Sequence, residues 1–177
     1  MGFGRSMTLV GAGLLAVTAS LPAQGDKVQG TATVGTTKVA LTSGMAVAYK
    51  APNGDLVSVV LSDKPVDAKA FAEDSRTWPG EPLVSGTFLG AWKSQHFARK
   101  LSGIAFTIGP HGIVDDEFLV GGRNNTFSIS GDEYVLAVKS KSPRLVGTIK
   151  TKTPAVDLGG DRSAALDATF DLAVASR

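Results

Sequence analysis

The chain has 177 residues, 43% apolar and 19% charged, with 21 Gly, 8 Pro and no Cys. Disulfide scaffolds, cysteine zinc sites, thiol catalysis and cysteine-anchored lipoproteins are excluded, because each needs a residue that is absent. Collagen, coiled coil and intrinsic disorder do not fit the apolar content or the mixed charge. The length suits one ordinary domain.

Residues 1–23 read as a secretory signal peptide. Arg5 is the only charge in the segment, and an apolar run from Met7 to Ala19 follows it. That run is shorter than the ~20 residues a bilayer-spanning helix needs. Pro22 then breaks the helix and Ala23 supplies a small residue for cleavage, with a cut after Ala19 as the alternative. Removal of the leader leaves 17 basic and 16 acidic residues. Such a weak balance gives no electrostatic reason to expect a nucleic-acid partner or an anionic membrane, and no membrane span is expected after processing. Export without cysteine points to a bacterial periplasm or exterior, with stability supplied by a hydrophobic core.

Period-2 alternation dominates residues 24–177, the mature domain. Val28, Ala32 and Val34 oppose Gln29, Thr31 and Thr33, and Gly35-Thr36 ends that run. Met45, Val47 and Tyr49 share one face of the next run. Pro52-Asn53-Gly54-Asp55 is a hairpin signal before Val57, Val59 and Leu61. Pro65 to Asp74 has good helix formers after an early Pro, which predicts a short helix. Thr77-Trp78-Pro79-Gly80-Glu81-Pro82 predicts a loop. Val84 to Lys100 places Phe88, Leu89, Trp92 and Phe97 at spacings that suit a one-sided helix, weakened by Gly86 and Gly90.

Strand patterns resume with Ile104, Phe106 and Ile108, and Gly109-Pro110-His111-Gly112 marks the turn after them. Gly121-Gly122-Arg123-Asn124 marks another. Phe127 and Ile129 alternate with Thr126, Ser128 and Ser130, and Gly131-Asp132 predicts a hairpin into Tyr134–Lys139. Leu166, Ala168, Phe170, Leu172 and Val174 form the clearest apolar stripe of all. Turns every 8–12 residues or so indicate a sandwich or barrel. The expected fold is therefore mainly β: a single antiparallel β-sandwich, or a barrel-like domain, with one or two short helices.

Reactive constellations are scarce. The two histidines, His96 and His111, form no His-x-x-x-His pair for a metal. No Gly-x-Ser-x-Gly elbow and no phosphate-binding loop occur in the mature chain. Asp115-Asp116-Glu117 cannot converge on one ion from a strand, because neighbouring side chains point to opposite faces. Asp157 and Asp161, with Gly159-Gly160 between them, form a second acidic loop without EF-hand spacing. No catalytic residue, metal ligand or cofactor site is assigned. Trp78, Trp92, Tyr49 and His111 are the candidate ligand contacts, because an aromatic face binds sugar or peptide at low entropic cost. For Trp92 the competing expectation is packing of its helix onto the sheet.

Val39-Ala40-Leu41-Thr42 through Ala46, followed by Val59-Val60-Leu61-Ser62-Asp63-Lys64-Pro65-Val66-Asp67-Ala68, resembles a β-rich family of secreted bacterial proteins of unknown function. The shared element is a Val-Leu-Ser/Thr-Asp-x-Pro strand end that leads into a short helix. Gly147-Thr148-Ile149 and Ala168-Thr169-Phe170-Asp171 are similar to the family's closing strands. Members often carry His-Ala-Tyr-Ala where this chain has Ser43-Gly44-Met45-Ala46. The resemblance implies location and fold, and no functional residue. Asp63 is expected to accept backbone hydrogen bonds at the strand end, and Pro65 to set the following turn.

The leading expectation is an exported, non-catalytic β-sandwich that binds a protein or glycan of the envelope through loops or a sheet edge. A carbohydrate or ester hydrolase would instead use His111 with an acid of Asp115–Glu117 in a concave pocket. A small-ligand carrier would be a closed barrel around an apolar cavity.

Overall fold

A computed structural model describes residues 25–52, 54–74, 85–121, 126–160 and 162–176. The expected leader, Trp78, Asn53 and Asp161 lie outside the described residues. Among those described, the strands are β1 (Lys27–Val34), β2 (Thr37–Leu41), β3 (Ser43–Ala51), β4 (Gly54–Ser62), β5 (Gly103–Gly109), β6 (Gly112–Leu119), β7 (Thr126–Phe127), β8 (Tyr134–Ser140), β9 (Arg144–Thr151), β10 (Val156–Gly159) and β11 (Arg162–Ser176). Two helices, α1 (Ala68–Asp74) and α2 (Ser85–Arg99), separate β4 from β5. No described helix is long and apolar enough to cross a membrane.

β11 organises the sheets. Its Ala164–Asp171 stretch pairs with β1, and β9 pairs along Asp167–Ala173. With β2 beyond β1 and β8 beyond β9, this makes a first sheet, to which β10 adds at the start of β11. β3, β4, β5, β6 and β7 follow one another in a second sheet. The end of β11 crosses to that sheet and pairs with β3 over Val174–Ser176. This last pairing is parallel, and every other pairing among the described strands is antiparallel. The path ends at β2 and β7, so the sheets do not close into a barrel.

Alternation decides what lies between the two sheets. Leu166, Ala168, Phe170 and Leu172 of β11 face Val59 and Leu61 of β4 and Ile104 and Phe106 of β5 in one buried cluster. The rings of Phe170 and Phe106 are 6.2 Å apart. Each such aromatic removes enough apolar surface from water to contribute about 2–3 kcal/mol. Phe170 lies over Gly147, its register partner on β9, where a Cβ would meet the ring at 3.0 Å and the Ala137 carbonyl at 2.6 Å. The interior where a carrier would need its cavity is occupied by these side chains.

The opposite face of the second sheet is covered by the helices. Phe88, Ala91 and Trp92 of α2 pack with Phe71 of α1 over Val60, Ala105 and Leu119. α1 starts at Ala68 rather than Pro65 because Asp67 caps it, its Oδ1 accepting from the Ala70 amide at 2.9 Å. The cap and the Arg99 guanidinium hold the Asp67 carboxyl below its ordinary range. α2 ends where Lys100 turns into the left-handed region at φ 54°, its amide still bonded to the His96 carbonyl.

Two local expectations need correction. Gly131-Asp132 does not form a hairpin. Gly131–Glu133 is a 3-10 turn, capped by the Ser130 hydroxyl, that carries the chain from β7 in one sheet to β8 in the other. The Phe127–Ser130 strand shrinks to Thr126–Phe127, because β6 offers pairing only at Phe118 and Leu119.

Gly147→Ala is expected to cost about 1–3 kcal/mol through overpacking against the Ala137 carbonyl and the Phe170 ring, read as a lower urea midpoint. In a Phe170→Leu background the smaller side chain should relieve only the part due to the ring, because the 2.6 Å contact with the Ala137 carbonyl remains. An unchanged midpoint for the single variant would show that the interior has slack at this position.

Candidate functional site

The structure disperses the residues singled out from the sequence. Trp92 is fully buried beneath α2 and shows no face to solvent. Tyr49 is only 5% exposed, its hydroxyl bonded to Ser58 at 2.9 Å, and Ser58 is bonded in turn to Thr107 at 2.7 Å. Burial therefore withdraws Trp92 and Tyr49 as ligand platforms. His111 sits exposed in the two-residue turn between β5 and β6, and no hydrogen bond or ion pair joins it to an acid among the described residues.

The three acids of β6 separate by strand alternation. Glu117 points toward α2 and pairs with Lys93 at 2.8 Å, while its other carboxylate oxygen is buried with no hydrogen-bond partner. Asp116 points between the sheets. Its Oδ2 accepts from the Tyr134 hydroxyl at 2.7 Å and from the Ile129 amide at 3.1 Å. The Ser128 hydroxyl donates to the Asp116 carbonyl at 2.8 Å. Asp116 thus pins the crossover from β7 to β8. His111 and these acids are not gathered into one cleft, so the hydrolase arrangement is not assembled.

Other acids serve the backbone. Asp63 accepts from the Ser102 amide at 2.7 Å and its own amide donates to the Ser102 carbonyl, which ties the end of β4 to the start of β5. This is the structural role expected of the Asp-x-Pro element. Asp157 accepts from the Gly159 amide in a local turn. Among the described residues, no group of three or more acids or histidines converges to hold a metal ion.

What the sequence reading missed is the outward face of the first sheet. The described helices pack on the second sheet and leave this face open. Inward Ala32, Phe170 and Ile149 alternate with outward Thr31, Thr169 and Thr148. Register aligns Gln29, Thr169 and Thr148 across β1, β11 and β9, and Thr31, Asp167 and Lys150 in the row beside them.

Two open grooves lie on this face. One, of about 520 Å3, is bordered by Asp26, Lys27, Lys139, Thr148, Thr169 and Asp171. The other, of about 450 Å3, is bordered by Thr31, Thr33, Lys38, Lys150, Lys152 and Asp167. Arg144 engages two acids near the first groove: its Nε lies 2.5 Å from Asp171 Oδ1 and its Nη2 lies 3.3 Å from Asp26 Oδ1. The alternation of Thr148, Ile149 and Lys150 was visible in the sequence. Bringing residues of five strands together required the register.

No protein-family model, no curated protein and no solved structure matches this chain.

Burial raises the Asp116 carboxyl from 3.8 to about 6, against the opposing pull of the Tyr134 hydroxyl and the Ile129 amide. Burial, and then the Asp116 charge, also raises the Tyr134 phenol. The folded state therefore holds the Asp116 proton more tightly than the unfolded chain. This contribution is fully present below the unfolded value of 3.8 and is lost as pH rises through about 6. Asp116→Asn keeps an oxygen for both donors and cannot ionise. Its stability relative to wild type should improve by roughly 2–3 kcal/mol between pH 4 and pH 7, measured by urea unfolding across that range. Parallel pH profiles would contradict the assignment.

Proposed function

We propose that this chain is an exported, non-catalytic β-sandwich protein that binds a component of the bacterial envelope through the outward face of its first sheet. The observation that carries the reading is the asymmetry of the two sheets. One outer face is sealed by α1 and α2 over apolar side chains, and the other stands open with polar rows and two grooves. A rigid sheet presents such groups without the ordering cost that a mobile loop incurs on binding.

Sheet edges are the poorer docking route. β2 is five residues long with Lys38 within it, β7 is two residues long, and β8 carries a bulge between Val138 and Ser140. Short strands, lysines and bulges each oppose strand addition at an edge. The 1–23 leader supports the exported location, as does the resemblance to secreted bacterial β-rich proteins.

Two measurements test the proposal. Mass spectrometry of the exported chain should find Gln24 at its N-terminus, and retention of the leader in the cytoplasm would refute export. Crosslinking to an isolated envelope fraction should fall at least about fivefold in Thr148→Trp/Thr169→Trp, which adds bulk at the centre of the face. It should be unchanged in Phe97→Ser, on the exposed side of α2. Equal yields for all three proteins would remove the face from the reading.

A further inference from the structure

The open face carries an uneven charge. Lys27, Lys38, Lys139, Lys150 and Lys152 border the two grooves, and none makes an ion pair with a described residue. The acids beside them are fewer and partly committed. Asp171 and Asp26 are both held by Arg144, and Asp26 also accepts from the Ala173 amide at 2.7 Å. Asp167 is the acid bordering the second groove, and it forms no ion pair with a described residue. A chain nearly neutral overall therefore concentrates unpaired positive charge on its uncovered face.

The groups between the lysines narrow the ligand class. Thr31, Thr33 and Thr148 offer hydroxyls and Gln29 a side-chain amide, capable of donating and accepting hydrogen bonds, while Thr169, whose hydroxyl donates to the Gln29 carbonyl at 3.3 Å, can accept. The outward positions of these strands carry no aromatic residue. Nucleobases would have no ring to stack on. A neutral sugar would lack the aromatic platform that usually holds its apolar face. A bilayer would find no apolar cluster to insert, since Val135 and Val146 stand alone among polar neighbours.

Lys150 lies near the end of β9 and Lys152 just past it, about 7 Å on for an extended chain, and Lys38 lies about three strand spacings away, roughly 14 Å. Cations spread this widely suit a polymer with repeated charges better than one compact anion. We infer that the face takes an acidic polysaccharide, a hydroxyl-rich chain bearing carboxylates along its length. The lysines would meet the carboxylates, and the threonines and Gln29 would meet the sugar hydroxyls. This inference rests on the proposed binding role of the same face and names its ligand class.

The test measures binding of purified protein to polygalacturonate, a neutral glucan, a single-stranded oligonucleotide and phosphatidylglycerol vesicles, at low and at physiological salt. Polygalacturonate should bind, and bind more weakly as salt rises. Lys38→Gln/Lys150→Gln/Lys152→Gln should weaken it about tenfold, near a factor of two per lysine. Thr148→Ala/Thr169→Ala should weaken it further while leaving the salt dependence unchanged. Circular dichroism should show the same fold for both variants, whose altered side chains are exposed.

Equal binding of the neutral glucan would overturn the role given to charge. Tighter binding of the oligonucleotide or the vesicles would overturn the polysaccharide. If polygalacturonate fails to bind while Thr148→Trp/Thr169→Trp still abolishes envelope crosslinking, this inference falls and the binding face stands. If neither assay responds to changes on this face, both fall.

Discussion

The structure depends on β11 serving two sheets at once. Its 15 residues keep strict alternation, so Leu166, Ala168, Phe170 and Leu172 all enter the interior while Asp167, Thr169 and Asp171 stay outside. A shift of one residue would reverse every side chain and expose the whole apolar set. β1 and β9 flank the strand and read their register from it, and its last residues reach β3 of the other sheet. The pairings of β11 span long sequence separations. Such contacts must repay a loop-closure entropy that a simple meander avoids. The cluster around Phe170 and Phe106 is what repays it.

Around that interior several buried polar groups are given partners, although one oxygen of Glu117 and the Trp92 indole nitrogen have none. Ser58 and Thr107 are fully buried on the helix-covered side of the second sheet, and Tyr49 completes a row in which each hydroxyl has a neighbour. Asp116 is buried between the sheets with a hydroxyl and an amide as donors. An unsatisfied buried group costs about 1–3 kcal/mol, more if charged, and the supply of donors keeps these sites tolerable. A carboxylate with a raised pKa is often a sign of catalysis. Here the donors come from the turn and strand that follow β7, so the same perturbation belongs to a joint that holds the crossover between sheets.

Much of this architecture was legible in the sequence because its signals are local. The Leu166–Val174 stripe, the Gly35-Thr36 turn and the helices around Phe71 and Trp92 need only periodicity and turn chemistry. Asp63 could be read as a strand-end acceptor for the same reason. The 3-10 turn at Gly131–Glu133 was misread because Gly-Asp suits a hairpin equally well, and only the sheet membership of its flanking strands decides between them. The lysine-threonine face was not legible as a unit. Lys27, Lys38, Lys139 and Lys150 are scattered over more than 100 positions of the chain. Each alone is an ordinary solvated residue. Their meeting is a product of β1, β2, β8 and β9 assembling around β11.

The open face also explains why the first sheet can remain uncovered. An exposed apolar sheet would recruit a second copy or aggregate. This one sets lysines and threonines outward, and its edges are short or bulged. Net charge over the whole chain stays small, so this patch does not come from general basicity. Solubility alone would be served as well by mixed charge, with acids paired to the lysines across strands. Asp171 stands opposite Lys27 and Asp167 opposite Lys150 in register, but Asp26 and Asp171 bond to Arg144 and no ion pair forms with either lysine among the described residues. Beside the rows of hydroxyls, the lysines are left with charge to offer another molecule. Lysines without ion-pair partners beside rows of hydroxyls are compatible with the recognition role proposed for this face.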